Sequence, residues 1–169
     1  EQVCKPFSRD RDGFVLSEGA AMIVLETEDS CNQRKKSPIA ELIGFASSCD
    51  AESLTSPNLE GVSHAIQKAL NDAKISPIEV DCINLHGTGT KLNDQTEGAA
   101  IKKIFGDQIP SCTANKSQLG HSMGAASAIE AVISVLSIRH QIVPPSLNCH
   151  PTDPACHLQN LSPISRKHK

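Results

Sequence analysis

Lys116 and His121 stand five positions apart in Cys112-Thr-Ala-Asn-Lys-Ser-Gln-Leu-Gly-His-Ser-Met-Gly-Ala-Ala, on a polar stretch that runs into a series of very small residues. A second histidine, His86, opens the glycine-rich run His86-Gly-Thr-Gly-Thr. Each histidine follows an apolar, strand-like run and precedes a helical pattern, with glycine beside it. In open α/β sheets the loops after the strand C-termini gather at one edge, where ligands bind. His86, His121 and Lys116 can therefore converge. Paired imidazoles that donate hydrogen bonds suit a carbonyl oxygen as it acquires negative charge. At the first turn of the following helix, His121 would sit against the positive end of the dipole, which favours its neutral form. The plainer alternatives are two unrelated loop histidines, with His121 merely satisfying a helix end.

The elements that would place these residues can be read from the pattern. Ser122 to Ile138 reads S-M-G-A-A-S-A-I-E-A-V-I-S-V-L-S-I, and its small side chains predict a helix buried on several sides. Val62, Ala65, Ile66, Ala69, Leu70 and Ala73 fall at helical spacing, so 61–73 is an amphipathic helix. Asn93 is read as the cap of a helix running to Phe105, with Asp94 and Glu97 near its start and Gly106 ending it. Ser76-Pro77 signals a cap followed by proline at the first position of a short turn. Strands are expected at 80–85 and 111–114, and also at 14–16, 20–25 and 39–47. Pro6 to Gly13 reads as a charged turn, and 27–37 as exposed, with room for a short helix. From Ile39 the order is β-α-β-α-β-α, which predicts an α/β fold with a mostly parallel sheet covered by helices.

Composition narrows the function. The chain has 169 residues, enough for one domain and a real core. It holds four Phe and no Trp or Tyr, so base-stacking platforms are not expected. A net charge of −3 gives no general attraction to nucleic acid or anionic membrane. Seven cysteines without a C-x-x-C pair argue against a disulfide framework and for a reducing, cytoplasmic setting. The polar start reads as no signal peptide. The longest apolar run carries Glu130 and four serines, a poor membrane span.

Other chemistries fit less well. Gly87-Thr-Gly-Thr-Lys-Leu imitates a dinucleotide fingerprint, but Leu92 replaces the third glycine. The histidines and cysteines lack zinc-ligand spacing. The G-x-S-x-G elbow of serine hydrolases is absent. His64, His140, His150, His157 and His168 are read as surface or packing residues.

Four stretches together resemble the C-terminal half of a β-ketoacyl synthase, the condensing enzyme of fatty-acid and polyketide synthesis. They are Phe7-Ser-Arg-Asp-Arg-Asp-Gly-Phe-Val-Leu-Ser-Glu-Gly-Ala, His86-Gly-Thr-Gly-Thr-Lys-Leu-Asn-Asp-Gln-Thr-Glu, Lys116-Ser-Gln-Leu-Gly-His-Ser-Met-Gly-Ala-Ala and Ile142-Val-Pro-Pro-Ser-Leu-Asn. The resemblance covers nearly the whole chain. It implies a thiolase-like fold, with 1–37 ending the N-terminal half and 38–169 forming the C-terminal domain, truncated at its end. It implies acyl carrier protein as partner, a homodimeric family, and no metal or organic cofactor. His86 and His121 would stabilise a malonyl thioester oxygen as it becomes enolate-like. Lys116 would hold the histidine loop through an ion pair with Glu97, while Thr88, Thr90 and Gly120 support the site.

The chain also departs from that pattern. The family's nucleophilic cysteine lies in an elbow of the D-T-A-C-S-S type in the N-terminal half, and none of Cys4, Cys31, Cys49, Cys82, Cys112, Cys149 or Cys156 stands in such a setting. The G-F-G-G-x-N segment is missing. Ser17 and Ala21 stand where glycine is usual, and Asn115 where threonine is usual. Three readings stay open: a ketosynthase piece that works only with its other half, a non-catalytic remnant that binds an acyl chain or carrier protein, and an unrelated nucleotide-binding module. In the first, the chain alone is expected to be inactive.

Overall fold

The computed structural model describes residues 3–53 and 55–167. His168 lies outside them. Five α-helices, α1 (Glu28–Gln33), α2 (Leu59–Ala73), α3 (Lys91–Phe105), α4 (Lys116–Leu119) and α5 (Ala126–His140), alternate with short strands. The strands are β1 (Cys82–Asn84), β2 (Ser111–Thr113), β3 (Ile142–Val143) and β4 (Arg166–Lys167). β1 and β2 pair in parallel, with Ile83 opposite Cys112. A parallel bridge from Cys112 to Leu161 adds to the far edge of β2, and β3 pairs antiparallel with β4. The parallel α/β arrangement expected from the sequence is present, with β1 and β2 slightly shorter than read.

Local chemistry sets the helix bounds. The Asn58 side chain accepts from the Glu60 N–H to start α2, and Lys74 in the left-handed region ends it. α2 packs on α3, and Lys103 reaches Glu60 at 2.6 Å. Glu79 accepts from the N–H and hydroxyl of Ser76, closing the short 3-10 turn Pro77–Glu79. α3 begins earlier than the sequence reading had it. Thr90, not Asn93, is the cap, because its extended backbone already presents its carbonyl to the Asp94 N–H at 3.2 Å. Asn93 therefore lies in the first turn and donates to Asp94.

α3 turns Asp94, Gly98, Ile101 and Phe105 inward at helical spacing. Gly98 permits the closest approach, since a Cβ there would stand 1.9 Å from the carbonyl oxygen of Cys156. Ile101 and Phe105 join Phe7, Leu85, Cys112, Ala114, Leu158 and Leu161 in the core. The turn at 6–13 is part of that core rather than a solvated loop. Phe7, Ser8 and Arg11 are all buried. Buried Arg11 lies 3.6 Å from Asp94 and 2.6 Å from Asp153, and also donates to the Ser8 carbonyl.

Three expectations do not hold. The apolar runs 20–25 and 39–47 form no ladder among the described residues, and Phe14 to Leu16 makes only one bridge, Leu16 to His121. Met22 is 96% exposed and Val24 is 91% exposed. A run of apolar residues fits a strand, but a strand exists only where another backbone takes its hydrogen bonds. α5 forms, yet only Ala126 is fully buried, while Leu136 and Ile138 are exposed. Its outer face has no covering element among the described residues. No helix among them is long and apolar enough to cross a membrane.

Candidate active site

The loop after β1 carries His86, and two carboxylates of α3 hold it. Glu97 accepts from the N–H of His86 at 2.6 Å and from that of Gly87 at 2.9 Å. Asp94 accepts from Gly89 N–H at 3.2 Å and from Phe7 N–H at 2.7 Å. Thr88 and Thr90 share a hydroxyl–hydroxyl bond of 2.8 Å. The loop is thus tied to the start of α3 and to the turn at 6–13 before any ligand arrives.

His121 is placed differently. Gly120 precedes it at φ +71°, where a side chain is strained, and a Cβ there would sit 2.9 Å from both Ser17 and the Val15 carbonyl. That space lets the segment 15–17 run alongside. His121 N–H donates to Val15 at 2.7 Å and its carbonyl accepts from Ser17 N–H at 3.1 Å. The Phe14 ring is then edge-on to His121 at 5.3 Å.

Lys116 joins the two loops from beneath. It is 2% exposed. Its Nζ donates to the His86 carbonyl at 2.6 Å and to Glu130 Oε1 of α5 at 2.6 Å, and lies 3.4 Å from His86 Nδ1. The expected ion pair with Glu97 is not the one formed. Glu97 is occupied by two backbone amides, and Glu130 takes the ammonium instead.

The two imidazoles stand 5.5 Å apart, nearly perpendicular at 88°. The hydrogen bonds fix which nitrogen of each carries the proton. His121 Nδ1 accepts from Met123 N–H at 3.0 Å. His86 Nδ1 faces the Lys116 ammonium, which can only donate. Both neutral rings therefore carry their proton on Nε2. Close packing, then Lys116 and His121, push the His86 pKa down to about 4. Desolvation, then Lys116, lowers that of His121. The helix dipole is not the cause expected from the sequence, because a 3-10 turn (Met123–Ala125) separates His121 from α5. Burial raises Glu97 to about 7 against the pull of its two amide donors.

Both rings open on one cleft of about 420 Å³. Phe14, Thr88, Thr90 and Asn93 line it beside them, and Asp50, Ser53, Thr55, Ser56 and Pro57 complete its lining. No cysteine lines it among the described residues. Burial pushes the thiols of Cys112 and Cys156 to about 12, far from a thiolate at neutral pH. His64, His140, His150 and His157 are exposed and stand outside the cleft. The structure thus brings His86, His121 and Lys116 together. Glu130, Asp94, Arg11 and Phe14 were not singled out in the sequence. Glu130 carried one available signal, as the lone acid in an apolar helix.

Similarity to known proteins agrees with this geometry. Residues 39–150 match the β-ketoacyl synthase C-terminal domain, and 1–30 match the N-terminal domain of the same synthases. Nodulation protein E of Rhizobium sp. (strain N33) is 44% identical over 168 residues, 98% of this chain and 42% of that protein. The 3-oxoacyl-[acyl-carrier-protein] synthase 2 of Mycobacterium leprae (strain TN) is 42% identical over 153 residues, 89% of this chain and 36% of the relative. Among solved structures, the ishigamide ketosynthase/chain length factor superposes with a TM-score of 0.95 at 44% identity, over 99% of this chain and 41% of that one. A type II PKS acyl-carrier protein in complex with its ketosynthase, AntDE:AntF, gives 0.93 at 36% identity, over 98% and 42%. The chain spans about two fifths of the length of these relatives. With the family's C-terminal domain matched over residues 39–150 of this chain and the paired imidazoles in place, the chain belongs to the β-ketoacyl synthases.

Proposed function

We propose that this chain supplies the decarboxylating half of a β-ketoacyl-acyl carrier protein synthase site. The observation that carries the reading is the pair of neutral imidazoles, each protonated on Nε2, opening on one cleft. A malonyl thioester in that cleft would set its carbonyl oxygen between the two N–H donors. As the carbon–carbon bond to the carboxylate breaks and carbon dioxide leaves, the electron pair moves onto that oxygen as an enolate. Two donors already in place stabilise the charge without reorganisation. The enolate carbon then attacks an acyl thioester, the new carbon–carbon bond forms, and the cysteine thiolate departs. That cysteine would come from sequence outside this chain, in the N-terminal half to which 1–37 belong. Lys116 orients His86 and, after desolvation, helps keep both rings neutral, without touching the substrate. Thr88, Thr90 and Asn93 offer polar groups along the path a carrier-bound thioester would take. The acyl carrier protein is the proposed partner, as in the AntDE:AntF complex.

A decarboxylation assay tests this. The purified chain is mixed with malonyl-acyl carrier protein, with and without a co-expressed N-terminal ketosynthase half, and acetyl-acyl carrier protein is followed. Activity is expected only in the complete mixture. His86→Ala and His121→Ala should each lower it by roughly 10²–10³. No activity with the folded, complemented chain would replace this reading with that of a non-catalytic remnant.

A further inference from the structure

We propose that Asn84 and Asn115 form an amide relay that positions Lys116 and, through it, His86. Asn84 ends β1, two residues before His86, and Asn115 directly precedes Lys116. Asn115 is 2% exposed and donates from Nδ2 to Asn84 Oδ1 at 3.0 Å. Asn84 Nδ2 in turn donates to the Glu130 carbonyl and to Ser134 Oγ, both at 3.0 Å. The amide orientations are forced: the Glu130 carbonyl can only accept, so Asn84 must turn its oxygen toward Asn115. Thr113 Oγ1 closes the other end by donating to Asn115 Oδ1 at 3.3 Å. Two side chains thereby join the backbones that carry His86, Lys116 and Glu130.

The relay matters because of how weakly α5 is otherwise held. Ala126 is its one fully buried residue, so apolar packing does little to fix its position along the sheet. Asn84 grips α5 at Glu130 itself and one turn further on, at Ser134. Glu130 Oε1 then holds the Lys116 ammonium, which faces His86 Nδ1. Loosening the relay lets Glu130 and Lys116 shift together, and the ammonium no longer sits against the imidazole. A threonine at position 115 could also donate and accept, but only through one oxygen on a shorter stem, whereas the amide uses two separate atoms to meet Asn84 Oδ1 and Thr113 Oγ1.

The inference rests on the reading of His86 given above, and its test reads His86 directly rather than turnover. The full chain, labelled at histidine, is titrated by NMR, following the His86 ring nitrogens and carbon-bound protons. In the parent chain His86 should remain the Nε2–H tautomer and titrate near pH 4. Asn115→Leu should raise its pKa by roughly one unit or more as the nearby positive charge withdraws, and mix the two tautomers. Asn84→Leu should give the same shift, and the double variant no more than either single one, because the two act as a unit. Asn115→Thr, a milder change, should shift in the same direction and serves if the leucine variants fail to fold. Folded variants whose His86 titrates with the parent pKa and tautomer overturn the relay. A shifted His86 in a chain that never decarboxylates with its complementing half would uphold the relay and overturn the proposed function.

Discussion

Replacing Lys116 with methionine should be among the most costly single changes in this chain. The side chains are of similar length, so the change removes charge and donors with little loss of volume. Lys116 Nζ gives up its bonds to Glu130 and to the His86 carbonyl, both 2.6 Å long. Glu130 is left with a side chain 14% exposed and no cation. Removing one partner of a buried pair costs about 3–5 kcal/mol, mostly from the stranded charge. Burial already raises the Glu130 pKa, so its carboxyl can take a proton instead, which puts the loss near the lower end, at about 3 kcal/mol. That is a large share of the 5–15 kcal/mol by which a domain is usually stable. With no Trp or Tyr to report by fluorescence, urea unfolding is followed by far-UV circular dichroism. The double variant Lys116→Met with Glu130→Met has no stranded charge and should recover much of the loss. A single variant that loses less than about 1 kcal/mol, or a double variant as unstable as the single, would refute the view that Glu130 is the counter-ion holding this site.

Two further outcomes follow from the geometry. Gly98→Ala should lose about 1–3 kcal/mol in the same unfolding assay, because its Cβ meets the backbone of Cys156, which cannot swing aside. Gly124→Ala, whose Cβ meets nothing within 4 Å, is the control and should be close to neutral; equal losses would show that the contact is not the cause. The third concerns pH. Glu97 is raised from 4.5 to about 7 in the folded chain, so between those values the native state keeps a proton that the unfolded state has released. Its contribution to stability therefore falls as pH rises from 4.5 to 7 and is level above. Glu97→Gln should flatten that part of the profile of urea midpoint against pH, and an unchanged slope would assign it to another group.

What could be read in advance follows a physical divide. α2 was legible from its periodicity and α3 from its end at Gly106, because such signals are local and each helix closes its own hydrogen bonds. His86 and His121 were legible because both lie between a strand and a helix, and topology alone gathers such loops. The apolar runs at 20–25 and 39–47 were misread as paired strands, since hydrophobicity shows a wish for burial and says nothing of who supplies the ladder. Pairing Lys116 with Glu97, where Glu130 is the partner, failed for a related reason. Both acids are compatible with a nearby lysine, and only the return of α5 beneath the loops, with the backbone amides already claiming Glu97, decides between them. Arg11 and Asp94 look like surface charges in a charged turn and a helix start. Both are buried, Arg11 between Asp94 and Asp153, the latter 142 positions further along.

That last bond sets a schedule for the chain as it is made. Closing a loop of 142 residues costs on the order of 4 kcal/mol in chain entropy, recovered only when both ends are present. At typical synthesis rates Asp153 emerges roughly seven to thirty seconds after Arg11. For that interval the guanidinium can still meet Asp94, once α3 has formed, but its second anchor does not yet exist. The turn that seats the His86 loop therefore locks only after the segment around Asp153 has been made. Slower passage of the segment around Asp153, or a chaperone that shields 6–13 until it arrives, should change the yield of native protein more than any change in how quickly the helices form.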